Sequence, residues 1–274
     1  MDTATITPES RAHEERAARP RVSQWSVVRG EWIKLSSVRS NVAGLAAAPV
    51  GLLVLGLVFA EVGNSENGPR GTAKDALAVS FGGVTLSQLI IAVVAANFVA
   101  SEYASGLMSI MFAAVGRRTR VLRAKAIVIG GSTCVVMTMG ALIMCVAGNA
   151  VYSGDLPTYG LGDPGVLRAV AGLGLYGGCV ALIGVAIGYL LRSTAASIGV
   201  LIGVLILGPL ITGLLPGSVG TGLTKIMPSR AGDAIMSVSR PSDALSPWAA
   251  LAVLAVWTVG LLTVASLRLV HRDA

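Results

Sequence analysis

Apolar residues along this chain gather into six long stretches almost free of charge, at 42–60, 76–100, 126–151, 169–191, 194–215 and 248–267. A helix rises about 1.5 Å per residue and a bilayer core is about 30 Å thick, so about 20 such residues in a row suffice to cross it. The runs are too long, and too uniformly apolar, for the ten-residue alternating strands of a membrane barrel. The pattern therefore predicts an all-α polytopic membrane protein with six transmembrane helices. Pro49 should bend the first of them, and Gln88 and Asn97 are the only strongly polar side chains in the second. Arg192 is the only charge between the fourth run and the fifth, and the two-residue gap predicts a tight antiparallel hairpin.

Between these runs the polar and apolar positions change period. Trp25, Val28, Trp32 and Leu35 recur at three- and four-residue intervals, while Arg29, Lys34, Ser36 and Arg39 fall mainly elsewhere. That is an amphipathic helix, expected to lie in the membrane interface ahead of the first span with its tryptophans in the headgroup layer. Over 101–120, Leu107, Ile110, Met111 and Ala114 share one helical face. Glu102 sits where a helix N-terminus favours an acid, and Gly116 followed by Arg117 and Arg118 closes the segment, so a short helix is expected between spans two and three. Residues 1–22 show no apolar period and are expected to be a disordered tail, leaving 23–274 as one membrane domain. The last loop, 216–247, is apolar but broken by Gly217, Gly220, Gly222 and Pro228, as short re-entrant or surface helices would be.

Composition agrees: 54% of the 274 residues are hydrophobic and 13% charged, about half the charge of an ordinary soluble domain. The net charge of +7 follows from where the basic residues fall. With the amino terminus inside, inner segments hold the cluster before the first span, Arg117 to Lys125, Arg192, Arg268 and Arg272. Outer segments hold only Arg70, Lys74, Arg168, Lys225, Arg230 and Arg240. The positive-inside bias then puts both termini in the cytoplasm. Anionic lipid accounts for the basicity without nucleic acid. The first apolar run starts too late for a secretory leader, so the first helix is expected to stay as an anchor.

Cys134, Cys145 and Cys179 lie inside apolar runs and read as packing residues, forming neither a disulfide framework nor a zinc site. His13 and His271 lie near opposite ends of the chain. No span centre carries a charge, which disfavours an ion-coupled carrier. Gly174/Gly178, Gly184/Gly188 and Gly199/Gly203 each pair small residues on one helix face, for close packing within the subunit or else for a dimer face. Gln88, Asn97 and Tyr176 are open to two readings, facing a transport route or bonding helix to helix.

Several segments together resemble one family. Glu31-Trp32-x-Lys34-Leu35-x-Ser37-x-Arg39-Ser40 before the first span is similar to the start of many actinobacterial permeases of the ABC transporter superfamily, type-2 exporter class. Glu102-Tyr103-x-x-Gly106, the Arg117-Arg118 pair and Ala124-Lys125 resemble that family's coupling segment. Ser246-Pro247-Trp248 and Arg272-Asp273 resemble its ending. The likeness runs from Trp25 onward and lies in the order and spacing of loose motifs. Many relatives carry a proline before the arginines where this chain has Gly116, which puts the angle of that segment in question.

The resemblance implies a six-helix permease paired with a second copy or a homologue and with two separate ATP-binding-cassette subunits. An elbow helix would carry Trp25, Glu31, Trp32 and Lys34. A cytoplasmic coupling helix would meet the ATPase through Glu102, Tyr103, Gly106, Arg117 and Arg118. ATP and magnesium would sit on the partner, because this chain has no Gly-x-x-x-x-Gly-Lys-Ser/Thr loop. The function expected is ATP-driven export of hydrophobic or amphipathic cargo across the cell membrane. A non-transporting anchor or sensor on the same fold is the alternative. A membrane-embedded enzyme is less favoured, since Asp155 and Asp163, the acidic pair considered for it, sit among turn residues.

Overall fold

In lipid every backbone polar group has to be satisfied within its own segment, and the computed structural model answers this demand with helices alone among residues 23–64, 73–115, 118–151, 159–239 and 244–271, the ones it describes. Six of them are long and apolar enough to span a bilayer. The first span is α2 (Arg39–Asn64). The second is made of α3 (Ala73–Phe81) and α4 (Val84–Ala104). The third is α6 (Arg118–Val151) and the fourth α7 (Val166–Leu191). The fifth runs through α8 (Thr194–Ile202), a π-helical turn at Gly203–Leu207 and α9 (Gly208–Gly213). The sixth is α12 (Pro247–His271). Shorter helices lie between them: α1 (Gln24–Ser37), α5 (Leu107–Val115), α10 (Gly217–Lys225) and α11 (Pro228–Met236). The expected tail, 1–22, lies outside the described residues.

Burial orders the bundle. In α7, 78% of the spanning window is buried, against 22% in the first, fifth and sixth spans, so α7 is the central post. Lipid is as apolar as leucine, so close backbone approach rather than hydrophobicity holds such helices together. A Cβ on Gly174 would collide with Thr138 and the Cys134 carbonyl of α6, and one on Gly184 would press on Ala95 of α4. These pairs therefore pack within the subunit. Among the described residues nothing lies within 4 Å of a Cβ at Gly199 or Gly203, so their face of the fifth span is open there.

Two breaks in the spans were invisible in the apolar pattern. The second span turns at Gly82 and Gly83 because the chain there lies directly on α2: a Cβ on Gly83 would collide with the Leu52 carbonyl oxygen. In the fifth span, Gly203–Leu207 widens into a π turn just ahead of Pro209. Pro49, by contrast, does not interrupt α2, and its ring packs where Gly140 of α6 leaves room. The expected hairpin after α7 is made by Arg192, a non-glycine in the left-handed region (φ 55), whose amide returns to Gly188 at 2.9 Å.

The last loop dips inward. Trp257, well inside α12, donates its indole N–H to the Ile226 carbonyl at 2.8 Å, and Gly232 of α11 rests on the ring of Tyr176, well inside α7. Arg168 fixes the exit of this re-entrant pair by donating to the carbonyls of Ile235 (3.0 Å) and Ser237 (2.8 Å).

Candidate functional site

The antiparallel order of the spans brings α1, the end of α4, α5, the start of α6, the end of α7 and the end of α12 to one end of the bundle, here called the basic end. Ser23 caps α1 by accepting from the Ser26 amide at 3.1 Å. The helix then lays Val27, Val28, Glu31 and Leu35 against α6. The expected apolar stripe is thereby split. Val28 and Leu35 turn inward, while Trp25 (76% exposed) and Trp32 face outward. The face that packs is rotated away from the centre of that stripe toward Glu31, which meets an opposite charge.

That charge is Lys125, which is fully buried in α6. Its ammonium donates to Glu31 Oε2 at 2.8 Å and Glu102 Oε1 at 2.6 Å, and lies 4.4 Å from the centre of the Phe98 ring. Lys34 donates to the same Glu102 oxygen at 2.6 Å, to Glu31 Oε1 at 3.2 Å, and reaches the Met111 sulfur at 3.3 Å. Two acids and two lysines from α1, α4 and α6 thus form a neutral cluster, with α5 touching it through Met111. Taking four charges out of water is costly, and such a cluster persists only when each charge is closely partnered. Burial disfavours the Lys34 ammonium, but its hydrogen bond to Glu102 and the charges of Glu31 and Glu102 outweigh that and hold it above the usual lysine value. Glu102 Oε2 is buried and has no hydrogen-bond partner among the described residues.

Arginines finish the neighbouring helix ends, where unpaired carbonyls need donors. Arg118 donates to the Leu269 carbonyl at 3.2 Å and lies over the Phe112 ring, joining α6 to α12. Arg268 donates to Leu190 O at 2.5 Å, joining α12 to α7. Arg192 lies over the ring of Tyr103, which meets Tyr189 edge to face.

The residues expected to meet a partner are therefore differently disposed. Glu102 is not at the start of the short helix: it lies in the last turn of α4, buried, because its carboxylate is the hub of the lysine pair. Tyr103 and Arg118 are half-buried and engaged. Gly106 (φ 71) is exposed and makes the turn between α4 and α5. Gly116 and Arg117 lie outside the described residues. The shared face expected on α5 is mostly its outer one, with Ile110 66% exposed and Leu107 also out, while Met108 is the residue buried beneath. Sequence reasoning missed Lys125 as a cluster member. Its signal was a lysine followed by a long apolar run, which reads equally well as a loop charge at the membrane surface.

Two hollows lie at opposite ends of the bundle. A groove of about 410 Å³ runs between spans one, two and five, lined by Ser40, Asn41, Asn97 and Thr194 near the basic end and by Ile90, Val93 and Val94 beyond. Asn97 thus faces a groove, whereas Gln88 and Tyr176 are buried and hydrogen-bond each other. At the opposite end a vestibule of about 390 Å³ is lined by Leu215, Thr224, Lys225, Arg230, Asp233 and Leu245. Asp233 stands 3.6 Å from Arg230. Although 55% of its side chain is exposed to the vestibule, the enclosing walls push its carboxyl up to about 6, with Arg230 pulling the other way. Of the two acids weighed for catalysis, Asp163 accepts from the Gly160 amide at 2.8 Å as a turn cap, and Asp155 is outside the described residues. Among the described residues no three His, Cys, Asp or Glu side chains gather to hold a metal. Comparison with protein-family models, with curated proteins and with solved structures finds no match for this chain.

Proposed function

We propose that this protein is the membrane subunit of an ATP-driven exporter of the ABC type-2 class, with hydrolysis carried out by a separate ATPase. The observation that carries the reading is the cluster of Glu31, Lys34, Glu102 and Lys125, which ties an interfacial helix and two spans into one unit beside the short helix α5. A motor that pushes α5 needs such a unit, because interlocked charges move together while a chain of loose side chains would absorb the stroke. The exposed apolar edge of α5, Leu107 and Ile110, is the docking surface in this reading, with α1 as the elbow helix alongside. The basic end faces the cytoplasm, in accord with the positive-inside bias.

Closure of the paired ATPases would tilt α4 and α6 as rigid bodies and change access to the groove between spans one, two and five. Polar side chains at one end of that groove and apolar ones beyond it suit an amphipathic cargo. The open face at Gly199 and Gly203 is where a second permease would approach.

The test replaces Ile110 with Glu, an exposed position that leaves the cluster intact. An ATPase that co-purifies with the unaltered protein should be lost from Ile110→Glu while the permease keeps its thermal stability in detergent. Retention of the ATPase, with ATP hydrolysis still responding to cargo, would remove α5 as the docking helix. A chain that purifies with no ATPase at all would favour the anchor or sensor reading.

A further inference from the structure

Helices α6 and α12 both pack on α7 but make few contacts with each other. Between them opens a cleft of about 750 Å³, the largest hollow described above or here. We infer that this cleft is a binding site for one anionic phospholipid of the surrounding bilayer. The inference is independent of the export reading.

The order of side chains down one face of α6 carries it. Arg120, Arg123 and Ile127 follow at three- and four-residue spacing and all line the cleft, with Val259 and Leu262 of α12 opposite. Cationic groups therefore come first, at the basic end, and apolar walls follow toward the middle of the span. That is the sequence of headgroup and acyl chain in a lipid leaflet. Arg123 is exposed and forms no ion pair among the described residues, so its charge is available to an anion. Ile127 (55% exposed) and Val259 (62%) leave the lower cleft open sideways to acyl chains.

The top of the cleft is built rather than accidental. Gln24 of α1 donates its side-chain amide to the Arg120 carbonyl at 3.1 Å, and Arg118 joins α6 to the Leu269 carbonyl of α12. Next to Gln24, the outward Trp25 sets the headgroup level at this same height, as interfacial tryptophans do. An acidic segment of a water-soluble partner matches the arginines but not the apolar wall below them, which is why lipid is the occupant chosen. Basic clefts between membrane helices are suited to anionic headgroups for the same electrostatic reason.

Native mass spectrometry of the delipidated, full-length protein tests the site, with phosphatidylglycerol and phosphatidylcholine of equal chain length as probes. One phosphatidylglycerol should remain bound where phosphatidylcholine does not. Two arginines near a headgroup contribute enough that Arg120→Gln/Arg123→Gln should weaken the adduct roughly ten- to thirty-fold. Ile127→Trp, which fills the lower cleft and changes no charge, should weaken it too, and it keeps the test decisive if the arginine pair proves necessary for folding. Arg29→Gln/Arg39→Gln, which removes exposed cations elsewhere at the same end, should leave the adduct intact. Equal losses from the two arginine pairs would mean a diffuse basic surface and overturn the site. So would equal retention of phosphatidylcholine, an adduct indifferent to Ile127→Trp, or displacement by soluble glycerophosphate, which would mark a phosphate site without a lipid.

Discussion

Removing the ammonium of Lys125 would leave Glu31 and Glu102 facing one another in a site that water does not reach, with Lys34 as the remaining counter-charge. Breaking a buried ion pair from one side costs about 3–5 kcal/mol, mostly for the uncompensated partner. Lys125→Met should therefore lower the thermal midpoint of the purified protein sharply, and Lys125→Met/Glu31→Gln should recover part of the loss. Additive losses in that double variant would show that the two groups are not coupled. Asp233 supplies a prediction of the opposite kind, because it is exposed to a vestibule and only raised. Its folded value of about 6 lies above the ordinary 3.8. The neutral form is thus favoured in the folded protein, so stability from this group is fully present below about 4 and is lost as pH rises through 6. Chemical shifts of a labelled Asp233 should titrate near pH 6, and Arg230→Gln should move that midpoint upward, since Arg230 favours the carboxylate.

Helix breaks, too, have local causes that can be tested. Gly83 stops the second span from running straight because its Cα lies against the α2 backbone, where a methyl group has no flexible neighbour to displace. Overpacking of this sort costs about 1–3 kcal/mol. Gly83→Ala should lower thermal stability by that order, whereas Gly131→Ala, in a helix position with nothing within 4 Å, should be neutral or slightly stabilising because alanine is the better helix former. Equal effects at the two sites would contradict the close approach. The π turn at Gly203–Leu207 is an element of another sort: such turns are energetically poor and recur at functional positions. It lies in the span that carries the open glycine face.

For the molecule as a whole, the six spans alternate in direction, so α1 and the end of α12 lie at one end and the re-entrant pair α10–α11 at the other. Charge asymmetry leads us to propose that the basic end is the inner one. Single cysteines introduced at Ala114, exposed on α5, and at Ser218, exposed on α10, should react with membrane-impermeant maleimide from opposite sides, with Ser218→Cys labelled in intact cells and Ala114→Cys only after permeabilisation. Labelling of both from one side would overturn the threading. The same arrangement puts the vestibule around Asp233 and the cleft of Arg120 and Arg123 at opposite ends of the bundle.

The number of spans was legible in the sequence, because lipid imposes one simple demand on every residue of a segment and an apolar run of sufficient length satisfies it without reference to other segments; where each helix ends was less so, the third beginning at Arg118 rather than near 126. Helices before the first span, between spans two and three and within the broken last loop were legible for the same reason, being departures from that uniform pattern. Which face each of them buries was not. Glu31, Lys34, Glu102 and Lys125 lie on segments up to 94 positions apart, and each by itself reads as a surface charge. Only tertiary packing makes them partners, because a charge can be buried only where another part of the chain brings its opposite within hydrogen-bond reach.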